Sequence, residues 1–292
     1  MRVIGMIDQI RMRRDRRNLL ALLAPGMLWL LAFFALPLVI ILLYSILTNG
    51  PRGAIVWQPT LENYRTLFTQ TIYVNAYLRS IRISLETTLI CLLLGYPLAL
   101  FIVRQPAHWR TLLIFLVLIP FWTNFLVRIY AWQIILANNG LINGGLTALG
   151  LTPLALLNTE GATLLGLVYG ELPFMVLPLY AALARFDFTQ LEAAADLGAN
   201  RWQAFWRVMV PQTMPGIVAG SVLVFIPTLG QFVVAELLGG AKVDYLGNLI
   251  QRLFLRSNPI NWPLGSALAV IMMVILLALI FWYFRVTRED ER

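Results

Sequence analysis

Four ionisable side chains fall in or beside long apolar runs of this 292-residue chain, namely Glu86, Arg128, Glu171 and Glu236. A charge near the centre of a membrane span costs about 2.5–3.5 kcal/mol on insertion scales, so each should face protein or water. Three aromatic side chains also lie in these runs, namely Trp122, Trp132 and Tyr169. Carboxylates and π faces together can bind the ammonium groups of a cationic solute along a translocation path. The competing interpretation is structural, with Arg128 and Glu171 neutralising each other as an ion pair.

Single occurrences of three residue types exclude several kinds of chemistry. His108 is the only histidine and Cys91 the only cysteine, so a histidine-rich metal site and an internal disulfide are both excluded. Lys242 is the only lysine, and Val243 follows it, whereas a P-loop needs Gly-Lys-Ser/Thr to hold nucleotide phosphates. We therefore expect no catalytic residue, metal site or cofactor in this chain, and any ATP hydrolysis has to come from a partner.

The composition is that of an integral membrane protein. Hydrophobic residues make up 60% of the chain and charged residues 12%, whereas a soluble domain carries about 25% charged residues. The net charge of +8 would suit nucleic acid in a soluble protein. Here the arginines flank apolar runs and set the topology, so we expect a lipid membrane and no nucleic acid as partner.

Six apolar runs predict an all-α protein with six transmembrane helices, because each is long enough for the ~20 residues that cross the hydrocarbon core. The runs cover residues 19–47, 78–103, 111–137, 162–184, 214–238 and 263–284. The first is too long for the apolar part of a cleavable signal. Prolines inside the runs predict kinks, because neighbouring helices can satisfy the carbonyls that proline leaves free.

The basic residues predict that both termini lie inside. Fourteen of the 22 then lie on the inner side, seven on the outer side, and Arg128 within a span. The predicted parts are an inner tail (1–18), a first span (19–47), an outer loop (48–77), a five-helix core (78–284) containing an inner loop (185–212), and an inner tail (285–292). In the outer loop Pro51-Arg52-Gly53 predicts a turn, accompanied by short surface helices.

The inner loop 185–212 predicts two short helices joined by a glycine. Thr189 and Glu192 have the spacing of a capping box, and Ala193 and Ala194 favour helix. Gly198 can adopt positive φ and end that helix, and Asn200 can cap the next.

On the second helix four residues share an apolar face, namely Trp202, Phe205, Trp206 and Met209. Pro211 is predicted to end this helix, and Pro215 suits the first turn of the next span. Considered only as an amphipathic loop, its aromatic face could lie in the lipid headgroups. Alternatively, the short helix enters a groove on a soluble partner.

The spacing of Glu192-Ala193-Ala194, Gly198 and Pro211 resembles the cytoplasmic docking loop of type I ABC importer permeases. The likeness covers roughly residues 20–284. Segments that resemble the spermidine/putrescine branch are Gly95-Tyr96-Pro97, Ile119–Tyr130, Leu172–Tyr180 and Glu236–Gly240. One departure is that Val208 and Val210 replace the usual Ile and Leu before Pro211.

This resemblance implies the type I ABC importer permease fold and a set of partners. They are a second permease subunit, expected to be a different homologous chain, two ATP-binding subunits that carry ATP and Mg²⁺, and a periplasmic substrate-binding protein. The residues implied to couple to the ATPase are Glu192, Ala193, Ala194, Gly198, Asn200, Trp202, Phe205 and Pro211.

The sequence thus predicts a non-enzymatic permease subunit of an ATP-driven importer in a bacterial inner membrane, with a polyamine as cargo. One alternative is the same machine for another small cation, an amino-acid-like solute, an opine, a phosphonate or a metal complex. The others are an ATP-independent secondary transporter or channel, and a non-transporting assembly factor. Neither of the last two explains the docking loop.

Overall fold

A computed structural model of the chain describes residues 22–240, 244–257 and 259–289. The predicted tail 1–18 and Lys242 lie outside the described residues. The predicted first span, 19–47, can be compared with the structure only from Leu22 onward. Six helical segments in the described part are long and apolar enough to cross a membrane, which confirms the predicted number, and the third of them is interrupted at residues 137–140. They are Leu22–Ser45, Thr71–Val103, Phe125–Ala148, Glu160–Leu183, Arg201–Gly230 and Trp262–Phe281.

The helices, with the names used below, run in chain order. They are α1 (Leu22–Ser45), α2 (Glu62–Thr69), α3 (Thr71–Val103), α4 (Ala107–Leu118), α5 (Phe125–Leu136), α6 (Leu141–Ala148), α7 (Glu160–Leu183), α8 (Thr189–Asp196), α9 (Arg201–Gly230), α10 (Val233–Gly239), α11 (Leu246–Leu255) and α12 (Trp262–Glu289). Helices α3, α7 and α9 pack on one another most extensively, and α1 packs mainly on α12.

A small hairpin in the segment 48–77 is the one departure from an all-helical chain among the described residues. Strand β1 (Leu47–Asn49) pairs antiparallel with β2 (Ile55–Pro59). The predicted turn between them is confirmed, with Arg52 at φ 58° and Gly53 at φ 80°. Helix α2 agrees with the expected short helices, whereas the hairpin was not predicted. Its three- and five-residue strands are too short to show a clear alternating pattern.

The third apolar run, 111–137, does not form the single helix that was predicted. Helix α4 passes into a 3₁₀ turn at Ile119–Trp122, and α5 begins only at Phe125. Pro120 has no amide hydrogen to continue the helical ladder. The Asn124 side chain then accepts a hydrogen bond from the Leu126 amide at 2.8 Å, which caps α5 and fixes the break.

Two glycines allow α9 to pack closely against α7. A Cβ atom on Gly216 would lie 2.5 Å from the Ala182 Cβ, and one on Gly220 would lie 2.7 Å from the Met175 sulfur. Gly216 and Gly220 have the G-x-x-x-G spacing that is typical of close contacts between membrane helices. Pro97, Pro173, Pro178 and Pro227 lie within continuous helices, as predicted. The prediction that Pro215 lies in the first turn of the fifth span is wrong, because α9 begins at Arg201 and Pro215 lies inside it.

Candidate functional site

The loop 185–212 forms a helix–turn–helix at the end of the bundle where α3 finishes. Gly198, between α8 and α9, has φ +87°, as predicted. The Gly198 amide donates to the Ala195 carbonyl at 2.9 Å and the Ala199 amide to the Ala194 carbonyl at 3.0 Å. This pair of bonds is a Schellman motif, which needs a left-handed residue at the glycine position. The turn therefore depends on the backbone freedom of Gly198.

The predicted capping box of Thr189 and Glu192 is wrong, because Thr189 lies inside the first turn of α8. Asp187 caps the helix instead. Its Oδ1 accepts hydrogen bonds from the Thr189 amide at 3.0 Å and the Thr189 hydroxyl at 2.8 Å. These bonds stabilise the charged form and lower the pKa of the Asp187 carboxyl. The short spacing Asp-x-Thr was the sequence signal for this cap.

Asn200 caps α9, as predicted, and Gln203 completes a capping box that the sequence analysis missed. The Gln203 amide donates to Asn200 Oδ1 at 2.8 Å, and the Asn200 amide donates to Gln203 Oε1 at 3.0 Å. Glutamine three residues after asparagine has the spacing of this motif. Both sides of the Gly198 turn are therefore fixed by hydrogen bonds.

Pro211 does not end the second helix, contrary to the prediction. Helix α9 continues from Arg201 to Gly230, and residues Phe205–Met209 form a π turn just before the proline. The Val210 amide donates to the Phe205 carbonyl, five residues back. Because this wider turn changes the hydrogen-bond pattern where Pro211 lacks an amide hydrogen, the helix passes through the proline. The amphipathic helix and the fifth span are thus one continuous element.

The π turn divides the predicted apolar face of α9 into two parts. Met209 is buried and Phe205 half-buried against the bundle, whereas Trp202 is 69% exposed and Trp206 is 51% exposed. The three aromatic rings contact one another, with centroids 5.2–6.0 Å apart. The outward surface of the loop also includes Leu197, which is 89% exposed. Large apolar groups in such a position are typical of an interaction site.

The inward part of α9 contacts the bundle through Tyr96 of α3. The Tyr96 ring meets Phe205 edge-on at 5.5 Å, and its hydroxyl lies 2.9 Å from the Thr213 hydroxyl. Thr213 donates its hydrogen to the Met209 carbonyl at 2.9 Å, so Tyr96 is the donor to Thr213. The Gln212 side chain also donates to Gln190 of α8. These contacts connect the loop directly to α3.

The Glu192-Ala193-Ala194 triplet lies on α8 beside this outward surface. Glu192 and Ala193 are exposed and Ala194 is half-buried. Glu192 has no ion-pair partner within 4 Å among the residues that the structure describes. The predicted coupling residues thus occupy one helix–turn–helix, in which Phe205 faces the bundle and Pro211 is exposed.

A separate cleft of about 330 Å³ within the membrane-spanning region brings together some of the predicted path residues. Arg128, Trp132 and Tyr169 line it, and the two aromatic rings meet edge-on at 5.5 Å. The Arg128 guanidinium lies 5.1 Å from the centre of the Phe121 ring. Trp122 is 76% exposed and does not line the cleft.

The Arg128–Glu171 ion pair, kept as the structural alternative, does not form. No nitrogen of Arg128 lies within 4 Å of a Glu171 carboxylate oxygen. Arg128 instead contacts aromatic rings, and its Nε and Nη1 atoms are buried without a hydrogen-bond partner in the described part of the chain. Glu171 is only 7% exposed, and its Oε2 likewise has no partner there. Unpaired buried charges are costly, which makes both residues functional candidates.

The other two acidic path candidates have arginine partners. Glu236 Oε1 lies 2.6 Å from Nη1 of Arg256, the residue that follows α11. Glu86 lies 3.4 Å from Arg82, which also pairs with Glu160. The Arg82–Glu86 spacing of four residues could have been recognised in the sequence. The pairs to Glu160 and Arg256 join residues distant in the chain and carry no such signal.

Comparison with known proteins identifies the family. The family described as "Binding-protein-dependent transport system inner membrane component" matches residues 18–288. The Spermidine/putrescine transport system permease protein PotB of Haemophilus influenzae is 45% identical over 266 residues, which cover 90% of this chain and 92% of that protein. The PotB protein of Escherichia coli K12 is 42% identical over 262 residues, covering 89% and 94%.

A solved structure supports the fold. It is a bacterial alginate ABC transporter in complex with an alginate pentasaccharide-bound periplasmic protein. One of its chains matches with a TM-score of 0.70 and 22% identity over 96% of each chain. At this identity the match concerns the arrangement of the helices alone.

Proposed function

Because the chain belongs to the family of binding-protein-dependent transport system inner membrane components, we propose that it is the permease subunit of an ATP-driven polyamine importer. Its cargo is spermidine, putrescine or a similar polycation. The PotB relatives, 42–45% identical over about nine-tenths of the chain, support this cargo. As an inner-membrane component of a transport system, the chain forms part of the translocation path and catalyses no covalent reaction.

The helix–turn–helix around Gly198 is the observation that carries the ATP-driven part of the proposal. It combines an exposed apolar surface with a Schellman turn and a capping box. An exposed helical surface of this kind suits a groove on a soluble partner. We assign that partner as a separate ATPase, which holds ATP and Mg²⁺, and we place this loop and both chain termini in the cytoplasm. The excess of arginine on the same side supports the orientation.

The continuous helix α9 makes the coupling mechanical. Its first turns belong to the docking surface, and its remaining length packs on α3 and α7 in the membrane. Displacement of the loop by the ATPase therefore moves α9 as a lever, with Tyr96 and Thr213 connecting it to α3. Such rigid-body motion between two packed arrangements is a common form of switching. Alternating access follows when a second permease subunit moves in the opposite sense.

The cargo path runs past Glu171 and the aromatic cleft in this proposal. Glu171 supplies a negative charge without a competing arginine within 4 Å, and Trp132 and Tyr169 supply π faces for ammonium groups. Trp122, Glu86 and Glu236 border the same path nearer its ends. A periplasmic binding protein delivers the cargo and makes most of the selection.

Uptake in proteoliposomes tests the proposal. The chain is purified with its partner permease, ATPase and binding protein, and labelled putrescine is supplied outside with ATP inside. We expect uptake to require ATP and the binding protein, and we expect unlabelled spermidine to suppress it. A P-loop lysine variant of the ATPase is the matched control and should abolish uptake.

Two outcomes contradict different parts of the proposal. Uptake driven by an ion gradient without the ATPase would overturn the importer mechanism. ATP-dependent uptake of another solute that putrescine and spermidine do not suppress would leave the mechanism intact and overturn the cargo.

A further inference from the structure

A second cleft, of about 430 Å³, lies behind the docking surface, between the end of α3 and helices α8 and α9. Leu100 and Arg104 line it from α3, and Leu191 lines it from α8. Helix α9 contributes Arg201, Phe205 and Met209, and the remaining lining residues are alanines. The cleft is therefore apolar except for two guanidinium groups.

The two arginines are not neutralised by the chain. Neither Arg104 nor Arg201 has a carboxylate within 4 Å among the described residues. Glu192 and Asp196 lie on α8, yet neither lines the cleft. The Arg104 guanidinium lies over the face of the Phe188 ring, 5.6 Å from its centre. The cleft thus presents positive charge without a matching anion.

The position of Arg104 places the mouth of the cleft at the membrane surface. Helix α3 spans the membrane and ends at Val103, and Arg104 is the residue that follows its last turn. Arginine at the end of a span lies at the depth of lipid headgroups. The apolar wall formed by Leu100 and Met209 continues from there toward the hydrocarbon.

We propose that this cleft binds an anionic phospholipid, with its phosphate held by Arg104 and Arg201. Guanidinium groups bind phosphate oxygens through paired, charge-assisted hydrogen bonds. Basic pockets between helices at the cytoplasmic face bind acidic headgroups in the same manner. The apolar lining provides contacts for the glycerol and the first acyl carbons, which a free phosphate ion lacks.

A lipid in this cleft would also affect coupling, because it fills the space between α8 and the end of α3. With the cleft occupied, the docking loop and α3 move together. With the cleft empty, α8 lacks this contact with the end of α3, and only α9 and its contacts with Tyr96 carry the movement into the bundle. This consequence rests on the coupling role proposed above, whereas the binding of the lipid does not.

Native mass spectrometry of the complete transporter tests the binding. The complex is released from detergent after incubation with phosphatidylglycerol or phosphatidylcholine. We expect retained phosphatidylglycerol, with retention at least about tenfold weaker in Arg104→Gln and Arg201→Gln, since a hydrogen bond to a charged group is worth about 1.5–3 kcal/mol. Arg185→Gln is the matched control, because Arg185 is exposed at the same end and does not line the cleft.

Further measurements keep the proposal falsifiable. Leu100→Trp fills the cleft without changing its charge, so it should also displace phosphatidylglycerol. Thermal unfolding and gel filtration show whether each variant folds and assembles. Equal retention by wild type and both arginine variants would overturn the lipid site. Displacement of the lipid by millimolar inorganic phosphate would overturn it in favour of a free-anion site.

The coupling consequence is measured separately, as ATP hydrolysis per putrescine imported in phosphatidylglycerol-containing and phosphatidylcholine-only liposomes. We expect that phosphatidylglycerol lowers this ratio in wild type and that Arg104→Gln raises it. A ratio independent of lipid would overturn the coupling consequence. Absence of any ATP-dependent uptake would instead contradict the proposed function. The retention of phosphatidylglycerol would still test the lipid site, because that measurement does not depend on transport.

Discussion

Replacement of Gly198 tests whether the docking loop needs a left-handed turn. Gly198 has φ +87°, and a Cβ atom built there would meet no atom of the chain within 4 Å. The cost of Gly198→Ala inside this chain is therefore backbone strain alone. Left-handed backbone costs an L-residue about 1–2 kcal/mol. That energy lowers the population of the native turn relative to alternatives by about 5- to 30-fold.

Three variants separate backbone strain from charge. Asn adopts the left-handed region more readily than other residues with a side chain, so Gly198→Asn should lose less than Gly198→Ala. Asp has nearly the same shape and adds a negative charge beside Glu192 and Asp196. We expect Gly198→Asp to be inserted normally but to lose transport, because its charge would lie on the surface that meets the ATPase.

The affinity of the ATPase for the solubilised permease is the direct measurement, with ATP-dependent uptake as the second. We expect the order wild type, Gly198→Asn, Gly198→Ala, with the alanine variant weaker by up to about 30-fold. Gly144→Ala is the matched control, because Gly144 lies in α6 without positive φ and with open space around it. It should leave both measurements unchanged.

Distinct results would refute distinct parts of this reasoning. Wild-type affinity in Gly198→Ala would show that the Schellman turn is not needed for docking. Equal, large losses in the alanine and asparagine variants would show that space on the ATPase surface matters rather than backbone strain. Normal uptake in Gly198→Asp would count strongly against docking at this turn.

The remaining predictions concern the spans. Glu171→Gln and Glu236→Gln should reduce polyamine uptake without reducing the binding of the ATPase subunit. Unchanged uptake in both variants would remove these residues from the path. Gly216→Ala should destabilise the bundle by about 1–3 kcal/mol through overpacking, and thermal unfolding identical to that of the α6 control would contradict the close contact. Tyr96→Phe removes the hydrogen bond to Thr213, so we expect the free energy of unfolding to fall by about 0.5–1.5 kcal/mol. We also expect more ATP to be hydrolysed per cargo molecule imported. Unaltered stoichiometry would show that this bond does not transmit the movement.

Hydropathy could predict the six helices because burial in lipid requires long apolar runs, and this requirement is local to each run. The break at Thr123 and the continuity through Pro211 could not be predicted in this way. At Pro120 the helix ends in a 3₁₀ turn, and α5 begins as a new helix with its own N-cap. At Pro211 a π turn precedes the proline and the helix continues through it. Packing of Phe205 against Tyr96 favours the second arrangement, and that contact joins residues more than a hundred positions apart.

The docking loop shows the same limit at a smaller scale. Gly198 and Asn200 were identified correctly, because a glycine and a cap residue act through their own backbone neighbours. The start of α8 was placed wrongly, because Thr189 and Asp187 both offer a cap and the capping-box spacing of Thr189 and Glu192 favoured the wrong one. The carboxylate accepts two hydrogen bonds there, from the amide and the hydroxyl of Thr189. An ionised acceptor forms the stronger bonds, which explains the outcome.

The pair of Glu236 and Arg256 makes the single Glu236→Gln variant ambiguous. Their side chains lie 2.6 Å apart, so loss of the carboxylate leaves an unpaired arginine whose positive charge repels a polycation. The double variant Glu236→Gln/Arg256→Gln removes both charges and restores neutrality. If Glu236 binds the cargo, uptake by the double variant stays low, with a raised KM for putrescine. If the defect comes only from the exposed arginine, uptake recovers toward wild type, and Glu236 serves to neutralise Arg256. The same double test applies to Glu171 and Arg128, because the charge of Arg128 acts on the Glu171 carboxylate although no arginine nitrogen lies within 4 Å of it in the described chain.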